Sequence, residues 1–187
     1  MKTNRIIISL FFVLMSFVAV CGQTNEYDPD YDIDYKVTSV AGVKFGESEY
    51  SVKSDLKSHF GYDYKDYGSN IVFLDPTIGG TTYTFGDFYF SEKKFVAAKL
   101  TKIFPLNQFQ KAKDFRDMVA LQYGNKYANI HSQIDEHGYK YYVCGMVEDD
   151  RYPIIISIIK GEGNDGKTRY YVTVYYFNYI EALSDDI

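Results

Sequence analysis

Tryptophan is absent from this chain, cysteine occurs twice and histidine three times in 187 residues, and each scarcity narrows what the protein does. The cysteines are Cys21 and Cys144. If Cys21 departs with an N-terminal leader, Cys144 stands alone, no internal disulfide forms, and stability must come from a packed core. The remaining length suffices, because domains of about 100–150 residues bury enough surface to fold unaided. We expect one compact domain over residues 36–187. The histidines His59, His131 and His137 are dispersed. His59 falls near the end of an expected helix, and His131 and His137 fall in a polar stretch with Asp135 and Glu136, read as a loop. That is the pattern of surface residues rather than of metal ligands. No G-x-S-x-G elbow, H-E-x-x-H helix or C-x-x-C pair occurs, so the expected inventory is no catalytic residue, no metal and no cofactor. An excess of basic charge is also missing, with 20 Lys and Arg against 25 Asp and Glu. A net charge of −5 argues against nucleic acid, which needs a basic footprint, and against an anionic membrane surface.

Hydrophobic runs long enough to span a bilayer are missing too. Residues 6–20 form an uncharged apolar run of about 15 residues, short of the roughly 20 a transmembrane helix needs. It follows Lys2 and Arg5, so residues 1–22 read as a secretory signal with a positive start and a short apolar centre. Cleavage after Gly22 places Val20 and Gly22 at the small-residue positions of ordinary signal peptidase. Val18-Ala19-Val20-Cys21 is the competing reading, a lipoprotein box in which lipidated Cys21 anchors the chain. Both send the protein to the periplasm or outside the cell. Residues 23–35 then read as an acidic tether. Asp28, Asp30, Asp32 and Asp34 have the spacing of a calcium loop, but neither register supplies the required Gly and Glu.

From Lys36 onward apolar residues recur. Residues 40–46 read as a short strand, and Ser48 is placed to cap a helix whose Val52, Leu56 and Phe60 fall on one stripe until Gly61 ends it. Strands are expected at 71–74, 81–90 and 95–104. Asn107 and Gln110 resemble a capping box, and a second helix carries Ala112, Phe115, Met118, Val119 and Tyr123 until Gly124 stops it. Further strands are expected at 139–147, 154–160 and 168–178, with Ile154, Ile156 and Ile158 in the core and Cys144 a buried, inert thiol.

The two halves share a plan. His59-Phe60-Gly61-Tyr62-Asp63-Tyr64 lines up with Gln122-Tyr123-Gly124-Asn125-Lys126-Tyr127, and the same offset pairs Val52 with Phe115 and Leu56 with Val119. Duplication over 48–104 and 107–178 is the reading this favours. The opening Val40-Ala41-Gly42-Val43-Lys44-Phe45-Gly46-Glu47-Ser48, the helix ending at Gly61, and the tandem helix-plus-sheet halves resemble the β-lactamase-inhibitor-protein-like fold, shared with small lipoproteins of outer-membrane assembly. The resemblance implies proteins that bind other proteins and perform no chemistry.

One stretch matches a catalytic pattern. Gly161-Glu162-Gly163-Asn164-Asp165-Gly166-Lys167-Thr168 spells G-x-x-x-x-G-K-T, the phosphate-binding loop. That loop must open a helix, whereas Tyr170, Tyr171, Val172, Thr173, Val174, Tyr175, Tyr176 and Phe177 favour a strand, and Asn-Asp-Gly favours a hairpin turn. We expect a hairpin. The 20 tyrosines remain to be explained. Strand alternation sorts Tyr171, Thr173 and Tyr175 to one side, with Lys99 and Thr101 away from an apolar Val96, Ala98 and Leu100, and Lys140 with Tyr142.

The expected fold is therefore α+β, a mostly antiparallel sheet with two main helices on one face. Lys99, Thr101, Tyr142, Tyr171, Thr173 and Tyr175 are the expected binding residues of the other face. The expected function is non-enzymatic binding of an envelope or extracellular protein. The alternatives are sugar binding through the same rings, and an enzyme with a carboxylate pair that no motif marks.

Overall fold

The computed structural model describes residues 37–127, 130–145 and 154–177; the expected signal, Cys21 and the acidic tether lie outside them. All the described residues fall in one compact unit, Ile33–Ile187. No described helix is long and apolar enough to cross a membrane. The architecture is α+β, with two helices and a large antiparallel sheet.

In chain order the elements are β1 (Ser39–Val40), β2 (Val43–Lys44), α1 (Glu49–Phe60), β3 (Tyr64–Asp66), β4 (Asn70–Leu74), β5 (Thr77–Ile78), β6 (Thr81–Thr82), β7 (Phe85–Ser91) and β8 (Lys94–Pro105). A 3-10 turn (Leu106–Gln108) then leads to α2 (Phe109–Tyr127), β9 (Ile130–Ile134), β10 (Lys140–Cys144), β11 (Ile154–Glu162) and β12 (Thr168–Phe177). The main sheet runs β3-β4-β7-β8-β12-β11-β10-β9. Each helix thus precedes four strands of this sheet that pair in sequence order. The last strand of each set, β8 and β12, meet at the centre in a long antiparallel pairing from Arg169 against Pro105 to Phe177 against Ala97.

Local chemistry accounts for α1. Ser48 accepts from the Ser51 N–H at 3.2 Å, satisfying one orphan donor of the first turn. Val52 and Leu56 are buried, and Gly61, at φ +84°, closes the helix by donating to the Lys57 carbonyl. Only a residue without Cβ takes that conformation at little cost.

The second helix departs from expectation at both ends. Gln110 donates its side-chain amide to Asp114 at 2.7 Å instead of reaching back to Asn107. Gly124 does not stop the helix, which runs on to Tyr127. A Cβ at Gly124 would lie 3.4–3.6 Å from Ile130, so the glycine lets β9 approach the helix closely.

Some strands also differ. Residues 40–46 form a hairpin rather than one strand, because Ala41 and Gly42 both take positive φ, as a two-residue primed turn requires. The expected strand 81–90 is split into β6 and β7, with β6 paired back onto β5 around Gly79 and Gly80. β3, β5 and β9 are strands that fall outside the expected ones. His131 lies in β9 and not in a loop, whereas His137 sits in the β9–β10 turn.

Both helices pack on the same side of the sheet. Val52 and Leu56 of α1 join Ile71, Phe73, Phe88, Phe95 and Leu100, and Val119 and Ala120 of α2 join Ile154, Ile156, Val174 and Tyr176, all in one buried cluster. Phe60 meets Phe73 and Phe88 at centroid distances of 5.3 and 6.1 Å. Tyr83, beyond the β5–β6 hairpin, packs edge-on against Phe115 of α2. Full burial of such side chains contributes about 1.5–3 kcal/mol each, which is how a chain with one described cysteine, the free and buried Cys144, holds together without disulfides.

Candidate functional site

Residues directly opposite in paired strands point to the same side of a sheet, so the register fixes which side chains share the face away from the helices. One row across it reads Val72, Asp87, Lys99, Tyr175, Ile155 and Val143; the next reads Leu74, Phe85, Thr101, Thr173 and Ser157; Ile103, Tyr171 and Ile159 form a third. The structure therefore brings Lys99, Thr101, Tyr171, Thr173 and Tyr175 together. Lys99 lies over the Tyr175 ring at 5.4 Å, a cation–π geometry. Tyr175 stacks on Phe177, centroids 5.6 Å apart and rings 7° from parallel.

Tyr142 does not belong to this face. It pairs with Ile156 of the core, so it points toward the helices. Its hydroxyl donates to Asp117 of α2 at 2.9 Å, and its ring lies 5.4 Å from the Arg116 guanidinium. Arg116 is only 3 % exposed, yet its charge is satisfied: Nε and Nη2 reach Asp117 at 2.8 and 2.6 Å, and Nη1 donates to the Lys140 carbonyl at 2.7 Å. Tyr142 thus helps tie α2 to β10. Strand alternation gives which residues share a side with Tyr142, but the pairing with β11 decides which side that is.

The two threonines are on the expected face but sunk into it. Thr173 is 1 % and Thr101 5 % exposed. They are short side chains flanked on their own strands by longer ones, Tyr171 and Tyr175, and Lys99 and Ile103. Thr173 shares its hydroxyl with Ser157 at 2.8 Å. The face is more apolar than the six expected residues make it, because Phe85, Ile103, Ile155 and Ile159 lie on it, half-buried. Alternation within 154–160 held the signal for Ile155 and Ile159, since Ile154, Ile156 and Ile158 take the core side.

Asp87 is the one acidic group on these rows. It is half-buried, and burial pushes its carboxyl above the usual range, with Lys99 pulling the other way. A carboxyl raised in the folded state favours folding below its unfolded value, and that contribution is lost as pH rises through the folded value. Asp87→Asn is therefore expected to raise the melting temperature at pH 7. The gain should shrink to nothing below about pH 4, where the unfolded carboxyl is also protonated. Thermal melts of both proteins across pH 3–8 check this; an equal gain at every pH would contradict it.

The glycine-rich segment is a hairpin tip. β12 starts at Thr168 as a strand, and the turn uses its own amides: the Gly163 N–H donates to the Lys167 carbonyl and the Gly166 N–H to the Gly163 carbonyl. Gly161 and Glu162 belong to β11. Arg169 grips Asp165 with two bonds of 2.7 and 2.6 Å, and this holds the Asp165 carboxyl well below the usual range. Thr168 opens a strand and not a helix, so the phosphate-loop geometry is not built.

Among the described residues, no group of three or more His, Cys, Asp or Glu is placed to hold a metal. Cys144 is buried against the core, and burial pushes its thiol up to about 12. Alkylation at pH 8, read by mass on the peptide carrying Cys144, is expected to run at least about a hundredfold slower in the folded chain than in denaturant. Comparable rates would show an accessible thiol.

The face and fold together define an α+β protein with one sheet covered on one side by helices and hairpins, and an aromatic and aliphatic face on the other. No family model, no curated protein and no solved structure matches the chain.

Proposed function

We propose that this chain is an exported, non-enzymatic binding protein that takes up a protein of the cell envelope or exterior on the sheet face opposite the helices. The observation that carries the reading is the one-sided packing. Both helices, and the β5–β6 hairpin through Tyr83, pack on one side, while Phe85, Ile103, Ile155, Ile159, Tyr171 and Tyr175 line the other. Protein interfaces enrich tyrosine and other aromatic side chains around an apolar core with few charges, and contiguous apolar surface on a folded domain marks contact sites. Lys99 and Asp87 add one charge of each sign for orientation. The likeness in element order to the β-lactamase-inhibitor-protein-like fold supports the same reading.

The test is retention of a specific protein from envelope extract by the wild-type chain and its loss on Tyr171→Ala/Tyr175→Ala. Binding to glycans with no protein retained would move the reading to sugar recognition through the same rings.

A further inference from the structure

The two edges of the main sheet are built differently. β3, at one end, spans Tyr64–Asp66 and carries two charges. Lys53 of α1 reaches Asp66 at 2.9 Å, and the Gly68 N–H donates to the same carboxylate at 3.0 Å. Short length and bound charge are the usual means of blunting an edge. β9, at the other end, reads Ile-His-Ser-Gln-Ile, with no acidic residue, lysine, arginine or proline, and among the described residues no strand pairs with its outer side.

The hairpin geometry shows which backbone groups that side presents. Asp135 donates its N–H to the Tyr139 carbonyl, and Gly138, at φ +79°, donates to the Asp135 carbonyl. This is a three-residue turn closed by a bonded Asp135–Tyr139 pair. Bonded and non-bonded pairs alternate along an antiparallel ladder. The registers Gln133 with Tyr141 and His131 with Val143 are therefore the bonded ones. Ile130, Ser132 and Ile134 aim their N–H and C=O groups outward.

We infer that β9 docks a second copy of this chain, strand against strand. The sequence is self-complementary about Ser132. In an antiparallel pairing centred there, Ile130 meets the partner's Ile134, Ser132 meets the partner's Ser132, and His131 stands beside the partner's Gln133. No like charges oppose each other, and apolar side chains meet apolar ones on the helix side. A shift of two residues would set isoleucine against serine. Ile134 is 71 % exposed and Leu121 66 %. Leu121 lies on the flank of α2 that Gly124 turns toward Ile130, so the pairing covers both. The twofold joins the two sheets into one, with the helices of both copies on the same side.

Sedimentation of the purified full chain over a concentration series tests this. The wild type is expected to form a dimer, and Ser132→Pro to weaken association by at least about tenfold with its circular dichroism and melting unchanged. Proline is tolerated there because the lost N–H points away from β10. Ile134→Lys, which sets a charge against the partner's Ile130, is expected to weaken association likewise and serves if the proline variant fails to fold. A wild-type chain that stays monomeric to about 1 mM, or a folded variant that dimerises as the wild type does, overturns the inference.

Discussion

Replacing Phe88 by alanine is expected to destabilise the fold by about 3–5 kcal/mol, the cost of truncating a large buried aromatic and leaving a cavity. Phe88 lies at the middle of β7 with none of its surface exposed. Its ring stands 6.1 Å from Phe60 of α1, 6.0 Å from Phe73 of β4 and 6.1 Å from Phe95 of β8. It therefore joins the first helix to three adjacent strands, and no neighbour can move in to fill the space without disturbing another. For a domain of this size the loss corresponds to a fall in melting temperature of roughly 10–15 °C. Calorimetry or a chemical melt checks it. A fall of only a degree or two would mean that α1 does not rest on Phe88 as described.

The second large effect concerns binding rather than stability. Tyr171→Ala/Tyr175→Ala is expected to weaken capture of the partner by at least about a hundredfold, since tyrosines at the centre of an interface are frequent hot spots, costing about 2 kcal/mol or more each when truncated. Both rings are half-buried on the face opposite the helices. They oppose Ile103 and Ile159, and Lys99 and Ile155, so each also contributes a cross-strand pair of about 0.2–1 kcal/mol. The melting temperature should fall by only a few degrees, which separates lost recognition from lost fold. Equilibrium binding of folded wild type and variant measures the difference.

Much of this fold is legible where several local signals agree. Ser48, the Val52 and Leu56 stripe and Gly61 all mark α1, and cap, stripe and stop occur where the chemistry puts them. The hairpin of β11 and β12 is legible because β-branched and aromatic residues flank a turn sequence, against which a lone G-x-x-x-x-G-K-T pattern has little weight. The failures have physical causes. Gly124 carries a stop signal, but a glycine inside a helix costs only about 1 kcal/mol relative to alanine, and the close approach of Ile130 offsets it. β9 has little strand character of its own; its partner β10 makes it a strand. Tyr142 shows the limit of alternation, which gives parity along a strand but not which face meets the helices. That sense comes from long-range register, Tyr142 against Ile156. The same register reveals Phe85 and Ile103 as neighbours of Thr101 and Tyr171.

The central claim, that the face opposite the helices is the binding surface, is tested most directly by placing a photo-crosslinking side chain at single positions and exposing the chain to envelope extract. Tyr171 and Tyr175 sample the proposed face. Met118, 42 % exposed on α2, and Tyr50, 87 % exposed on α1, sample the opposite side. The account predicts one specific crosslinked protein from Tyr171 and Tyr175 and none from Met118 or Tyr50. Crosslinks from the helix positions with none from the two tyrosines would contradict it.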